Sequence, residues 1–124
     1  MDVNFLVIFK ISIVLLFLDF IYMQFIYKKF NDMIFNIQNS NIELNVTGAI
    51  LCYICIIFML YYFIIKDNKS LLDAFILGFT SYGIYEFTSM SLLKNWNFNV
   101  ALTDTIWGGT LYALTTFIIK NNYI

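Results

Sequence analysis

The chain has 124 residues, of which 61% are hydrophobic and 12% are charged, and its formal net charge is −1. Ordinary soluble domains have roughly 45–50% apolar and about 25% charged residues, so this composition predicts that the lipid bilayer is the main solvent. Its seven basic residues are all Lys, and it has no His. Nucleic-acid binding is disfavoured because phosphates need a basic surface. We expect no metal and no cofactor, because imidazole is a usual ligand of zinc and haem iron.

The first apolar stretch, from about residue 3 to 27, has the length of a membrane span. At about 1.5 Å per residue it crosses the roughly 30 Å hydrocarbon layer with some tilt. Lys10 lies close enough to one end for its ammonium group to reach the headgroups. Asp19 is too short, and too far from either end, to do the same. We therefore expect Asp19 to face protein or water.

The connection from residue 28 to 45 has apolar residues at helical spacing with polar residues between them. The apolar positions are Phe30, Met33, Ile34 and Ile37. This pattern predicts a short amphipathic helix that lies in the plane of the membrane interface. After Gln38 the Asn-Ser-Asn run is typical of a turn, so an irregular loop is the alternative there.

Three further apolar stretches follow, at about residues 46–65, 71–93 and 100–119. The first of them carries no charge, whereas the other two contain Glu86 and Asp104. Backbone groups in lipid must be satisfied within their own segment, and the strict alternation of a β-barrel is missing. The sequence therefore predicts an all-α fold, an integral membrane four-helix up-down bundle that forms one transmembrane domain over residues 1–124.

The Lys residues bear on the orientation of this multi-pass protein. With the N-terminus inside, four Lys lie on the cytoplasmic side and three on the other: Lys10, Lys66, Lys69 and Lys120 against Lys28, Lys29 and Lys94. This small excess favours the N-in orientation. Trp96 and Phe98 in the last connection suit anchoring at the membrane interface.

Three acidic residues converge in one half of the membrane if the helices alternate in direction. Asp19 and Glu86 each lie about 12–14 Å from the end of their span, Asp104 lies about one turn into the last span from the same side, and no Lys shares that depth. Burial and like-charge repulsion both disfavour three negative charges. The acids are therefore protonated, bound to a cation, or capped by hydrogen bonds. The candidate donors are Tyr22, Tyr82, Tyr85, Thr88 and Trp107.

Two sets of candidate residues follow from this arrangement. The candidate intramembrane polar site consists of Asp19, Tyr82, Tyr85, Glu86, Thr88, Asp104 and Trp107. Small residues let membrane helices approach closely. The candidate helix-packing glycines are Gly78, Gly83, Gly108 and Gly109.

The acidic site favours a protein that handles protons, cations or another small polar ligand. The alternative is a structural or assembly subunit in which the acids only fix helix packing. An enzyme is less favoured, because a chain without His offers only Tyr and Lys94 beside the acids. Four thin helices would not ordinarily enclose a pore alone, so conduction would call for a homo-oligomer.

Cys52-Tyr-Ile-Cys55 has the Cys-x-x-Cys spacing of redox-active motifs. The pair falls inside a charge-free helix, with no basic neighbour to stabilise a thiolate. Free cysteines buried in such surroundings behave as small hydrophobic residues. The sequence therefore favours a packing role over a redox role.

Four short motifs, spread over most of the chain, combine acidic, aromatic and glycine residues. They are Leu18-Asp-Phe-Ile-Tyr22, Tyr82-Gly-Ile-Tyr-Glu-Phe-Thr-Ser89, Leu93-Lys-Asn-Trp96 and Asp104-Thr-Ile-Trp-Gly108. In these motifs the chain resembles a family of small membrane proteins known as domain of unknown function 2177. The resemblance implies four transmembrane helices and no assigned activity.

The same resemblance marks particular positions in this sequence. They are Asp19, Tyr82, Gly83, Tyr85, Glu86, Thr88, Lys94, Trp96, Asp104, Trp107 and Gly108. The sequence departs from the family pattern at Glu86, where the family more often has Asp, and at Ser89, where it more often has Asn. A longer acid and a missing amide change the geometry that any ligand at this site would meet.

Overall fold

The computed structural model describes residues 3–124. Within that range the backbone forms helices and connections and contains no strand. The α-helices are α1 (Phe5–Gln38), α2 (Val46–Leu60), α3 (Leu71–Leu92) and α4 (Phe98–Lys120). A π-helical turn, Tyr61–Ile65, continues α2 at its C-terminal end. The predicted all-α fold with four helices is confirmed.

The first helix is longer than the sequence predicts. Instead of a span that ends near residue 27 and a separate interfacial helix, α1 runs unbroken through 34 residues. The side chain of Asn4 caps its start, and Asn39, with a left-handed φ of 61°, ends it. Residues 28–38 contain neither Gly nor Pro, so no residue there interrupts helix growth. The rest of the connection, residues 39–45, is irregular.

The C-terminal part of α1 packs against the start of α4. Met33 is buried in a small apolar cluster with Trp96, Val100 and Ala101. The apolar residues that predicted an amphipathic helix surround this cluster: Phe30, Ile34 and Ile37. At about 1.5 Å per residue α1 is roughly 50 Å long, which exceeds a hydrocarbon layer of about 30 Å. The amphipathic face therefore contacts another part of the protein as a continuation of α1.

Asn and Ser side chains set the starts of the other helices. The Asn45 side chain caps α2, Ser70 and Asp73 form a capping box at α3, and Asn97 caps α4. Such side chains accept the first-turn N–H groups that have no partner inside the helix. Residues with left-handed backbone occur in the connections and the tail: Asn39, Asn68, Asn95 and Asn122.

Two segments are long and apolar enough to cross a membrane by length and composition: α1 and Val46–Ile65. The other two helices, with 22 and 23 residues, have comparable length but carry more polar side chains. Several of these are buried inside the protein: Glu86, Asp104, Thr105, Thr115 and Thr116. The polar interior thus lowers the apolar character of α3 and α4.

Helices α3 and α4 pack closely and antiparallel, with Gly78 opposite Gly108 and Phe75 opposite Gly109. A Cβ atom on Gly78 would overlap the carbonyl oxygen of Gly108, and one on Gly108 would overlap the ring of Tyr82. A Cβ atom on Gly109 would lie 2.7 Å from Cε2 of Phe75. The missing side chains allow the two backbones to touch.

Gly83 is also buried, but it fits less tightly. A Cβ atom there would lie 3.4 Å from Cγ2 of Thr105, close to an ordinary van der Waals contact. The main apolar core joins α1 to the end of α2, to α3 and to α4. Its buried residues include Ile11, Leu15, Leu60, Tyr61, Ala74, Leu111 and Tyr112.

Candidate functional site

Asp19 on α1 connects three helices. Its Oδ1 accepts a hydrogen bond from Nε1 of Trp107 on α4 at 3.0 Å, and its Oδ2 accepts one from the hydroxyl of Tyr53 on α2. The side chain is buried. Both carboxylate oxygens therefore have a donor from another helix, as a buried acid without a cation requires.

Tyr22 lies one turn further along α1 and connects Asp19 to the next acid. Its ring stacks on that of Trp107, with centroids 4.6 Å apart and planes 8° from parallel. Its hydroxyl donates a hydrogen bond to Oδ1 of Asp104 at 3.1 Å. Asp19 and Asp104 thus share one pair of stacked aromatic residues as their donors.

Glu86 and Asp104 form a pair of carboxyl groups between α3 and α4. Glu86 is 0% exposed, and its Oε1 accepts a hydrogen bond from Nε1 of Trp96 at 3.0 Å. Its Oε2 is buried with no hydrogen-bond partner within residues 3–124, and Asp104 lies on the facing part of α4, where the neighbouring Thr105 packs against Gly83, about one turn before Glu86 on α3. A proton shared with the Asp104 carboxyl group would give this oxygen a hydrogen-bond partner.

None of the three acids pairs with a Lys in the part of the chain that the structure describes. The ion pair found within residues 3–124 is between neighbours, Lys66 and Asp67, at 3.2 Å. In the same range, no three side chains of the His, Cys, Asp or Glu type gather closely enough to hold a metal ion. Aromatic side chains are the donors found for the three acids in this range: Trp107 and Tyr53 to Asp19, Tyr22 to Asp104, and Trp96 to Glu86.

Trp96 was predicted as an interfacial anchor, and that prediction is wrong. The side chain is only 7% exposed and turns inward from the connection between α3 and α4. Asn95, with a φ of 66°, turns the chain just before it, and the backbone N–H of Asn97 contacts Sδ of Met33 at 3.2 Å just after it. Its indole N–H then reaches Glu86. Phe98, the other predicted anchor, is 54% exposed.

The predicted donors divide into two groups. Tyr22 and Trp107 donate hydrogen bonds to acids. Tyr82 covers Gly108 and meets Tyr112 edge-on, and it makes no hydrogen bond to an acid within residues 3–124. The structure does not bring the other two to the acids: Tyr85 is 60% exposed, and Thr88 lies on the outer face of α3.

Tyr53 and Trp96 are site residues that sequence reasoning missed as donors. Tyr53 lies inside the Cys-x-x-Cys motif, and the sequence does not show that its phenol group faces Asp19. The two cysteines, Cys52 and Cys55, are free and exposed on the outer surface of α2, so the expectation that they are buried is wrong. Tyr53 lies on the side of α2 that faces Asp19. Only the packing of the helices reveals this, so the sequence carries no signal for it.

A polar cavity of about 400 Å³ opens at the end of the protein nearest the acids. It lies between the C-terminal part of α1 and the start of α4, and charged and amide side chains line its mouth: Lys29, Asp32, Asn36, Asn95, Asn97 and Asn99. Met33 and Val100 form part of its wall. These two also pack against Trp96, so one layer of side chains lies between the cavity and Glu86.

The comparison with known protein families includes all the residues of this site. A family model described as "Predicted membrane protein (DUF2177)" matches residues 4–119. The chain belongs to this family. The resemblance seen in the four sequence motifs is thereby confirmed, and membership implies association with the lipid bilayer. No curated protein and no solved structure matches the chain.

Proposed function

We propose that this member of the DUF2177 family is a multi-pass membrane protein that moves protons through the Glu86–Asp104 carboxyl pair. The observation that carries this proposal is Oε2 of Glu86, which is fully buried and lacks a hydrogen-bond partner within residues 3–124, on the part of α3 that packs against the segment of α4 next to Asp104. An ionisable group inside a membrane is costly and marks a functional site. The same geometry would also allow a cation to take the place of the shared proton.

Two carboxyl groups in contact away from water cannot both carry a negative charge. One proton held between them leaves one negative charge, which Tyr22 and Trp96 stabilise by donating to Asp104 and Glu86. The proton can then leave toward either side only when a water molecule or another acceptor reaches the pair. Asp19, held by Tyr53 and Trp107, is the nearest further acid along the aromatic chain.

The polar cavity gives the pair a way to the nearer surface. Its amide and charged side chains would hold water at this end of the protein, and the layer containing Trp96 and Met33 would separate that water from Glu86. A rotation of the Trp96 side chain would break its hydrogen bond to Glu86 and open this layer. In this proposal Trp96 therefore controls access as well as charge.

The proposal includes four spans in up-down order within one domain. At about 1.5 Å per residue, α3 and α4 are each roughly 33–35 Å long, which is enough to cross the hydrocarbon layer. Their polar side chains Glu86 and Asp104 are buried, while large apolar residues such as Ile84 and Ile106 are exposed on the outer surface, where lipid would contact them. The N-in orientation and a homo-oligomer remain part of the proposal.

A second candidate function is structural, and the hydrogen bonds between helices favour it. Tyr53 to Asp19, Trp107 to Asp19 and Tyr22 to Asp104 each join two different helices. Hydrogen bonds between membrane helices contribute about 0.6 kcal/mol each on average. In this alternative the acids fix helix register in an assembly subunit and move no proton.

Proton flux into vesicles separates the two candidates. The purified chain is reconstituted in lipid vesicles that contain a pH-sensitive dye, and a potassium gradient with valinomycin drives proton entry. We expect Glu86→Gln and Asp104→Asn to lower the initial rate at least tenfold. Glu43→Gln is the matched control, because Glu43 is exposed in the connection between α1 and α2.

The structural candidate gives the opposite result. Under it, the wild-type chain has the flux of empty vesicles, and Glu86→Gln changes only the stability of the folded protein in detergent. Equal flux in wild type and Glu86→Gln, with both folded by circular dichroism, would refute proton movement through the carboxyl pair.

A further inference from the structure

Three hydroxyl groups near the C-terminal end of α4 are buried without a hydrogen-bond partner. Tyr112, Thr115 and Thr116 are each 0% exposed, and their hydroxyl oxygens meet neither donor nor acceptor within residues 3–124. Their spacing of i, i+3 and i+4 places them on adjoining positions of one side of the helix. A buried polar group without a partner is destabilising, so three within about one turn call for a partner.

The two threonines differ from most of the five other threonines of α3 and α4. Four of those donate to the carbonyl four residues earlier, at 2.7–2.9 Å: Thr80, Thr103, Thr105 and Thr110. That local bond is the usual one for a hydroxyl in a helix. Thr115 and Thr116 do not form it, so their hydroxyl groups are turned away from their own helix and toward the surrounding side chains.

Water is the partner that fits these groups. Tyr112 belongs to the main apolar core, and no side chain there forms a hydrogen bond to any of the three hydroxyls within residues 3–124. A buried water molecule typically makes about three hydrogen bonds to groups that would otherwise have none. Three hydroxyls within about one turn provide that number of partners.

We propose that Tyr112, Thr115 and Thr116 hold ordered water inside the protein. The site lies about 12–18 Å along α4 from Asp104 at 1.5 Å per residue. Tyr82 lies between, since it covers Gly108 and meets Tyr112 edge-on with ring centroids 6.3 Å apart. One turn beyond Thr116, Lys120 donates to the carbonyl oxygen of Lys69 at 2.8 Å, where α4 ends.

This position gives the water a role if the acids move protons. The polar cavity serves the nearer surface, whereas the hydroxyl site lies between the acids and the opposite end of α4. The water would then carry protons on that side. This role rests on the proposed function, but the water site itself does not.

Water-edited solid-state NMR tests the site directly. The chain is labelled with ¹³C-threonine, placed in lipid vesicles, and the transfer of proton magnetisation from water to each threonine is timed. We expect Thr115 and Thr116 to receive it severalfold faster than Thr105. Thr105 is the matched control, because it is equally buried but donates to the carbonyl of Ala101. Build-up as slow as that of Thr105 would overturn the water site.

Thermal unfolding gives an independent answer. With water present, Thr115→Val removes a partner of that water and lowers the Tm. Thr115→Ser keeps the hydroxyl group, so its Tm falls less. In a dry site, Thr115→Val removes an unpartnered hydroxyl at nearly constant volume and raises the Tm. A raised Tm would therefore also overturn the water site.

The proton flux assay separates this inference from the proposed function. We expect the Thr115→Val and Thr116→Val double variant to lower flux severalfold and Thr105→Val to leave it unchanged. Unchanged flux in the double variant would overturn the route along α4. No flux in the wild type, with fast magnetisation transfer to Thr115, would overturn the proposed function and support the water site.

Discussion

The contact between α3 and α4 makes a quantitative prediction for Gly78→Ala. The added Cβ atom would overlap the carbonyl oxygen of Gly108, a backbone atom that cannot turn aside as a side chain can. Overpacking of this kind lowers the free energy of unfolding by about 1–3 kcal/mol. The replacement of Gly by Ala in a helix raises it by about 1 kcal/mol. Because the overlap is with backbone, we expect the upper end of the cost and a net loss of about 2 kcal/mol.

Gly83→Ala on the same helix is the matched control. Its Cβ atom would lie 3.4 Å from Cγ2 of Thr105, so little has to move and the helix propensity gain of up to about 1 kcal/mol remains. The free energy of unfolding in detergent, followed by the fluorescence of Trp96 and Trp107, should therefore differ by about 2–3 kcal/mol between the two variants. Equal stability of Gly78→Ala and Gly83→Ala would refute the close approach of the two backbones.

Three further substitutions test the hydrogen bonds. Trp96→Phe removes the donor to Glu86 and leaves a buried oxygen unpartnered, so the free energy of unfolding in detergent should fall by about 1–3 kcal/mol. Tyr53→Phe removes a donor to Asp19, and the same measurement should show a loss in the same range of about 1–3 kcal/mol. Ser70→Ala removes the cap of α3 and should cost about 1 kcal/mol of unfolding free energy, with a matching loss of helical circular dichroism near the transition.

These three predictions share one control. Tyr62→Phe removes a phenol hydroxyl from the π-helical turn that follows α2, and this hydroxyl makes no hydrogen bond within residues 3–124, so the free energy of unfolding should change little. A loss from Tyr62→Phe as large as that from Tyr53→Phe would show that the assay reports general repacking. A neutral Trp96→Phe would contradict the bond to Glu86.

The number and places of the helices followed from the apolar stretches, because helices in lipid need continuous apolar runs between polar connections. The length of α1 did not follow. Its polar residues after Lys28 signalled the end of a span, but a helix ends where a cap or a breaker stops it, and the first such residue is Asn39. The hydropathy pattern of a sequence bears on where a helix meets lipid, but it does not fix where the helix ends.

The acids were found because a charge in an apolar run stands out in any sequence. Their donors were harder to predict, since Tyr and Trp are common at membrane interfaces and only packing decides which of them turn inward. Trp96 turns inward and Tyr85 outward, although both lie near Glu86 in the sequence. Helical spacing fixed the face of α3 that carries Glu86, but it could not place Tyr53, whose contact with Asp19 depends on how α2 packs on α1.

We propose that Glu86 and Asp104 share one proton, and infrared difference spectroscopy of the protein in lipid can detect that proton. At neutral pH we expect one carbonyl stretching band of a protonated carboxyl group that disappears in Glu86→Gln and shifts in Asp104→Asn. Both substitutions should affect the same band, because one proton is held by two groups. A spectrum with no protonated carboxyl band at neutral pH, or one whose band is unchanged in both variants, would contradict the account.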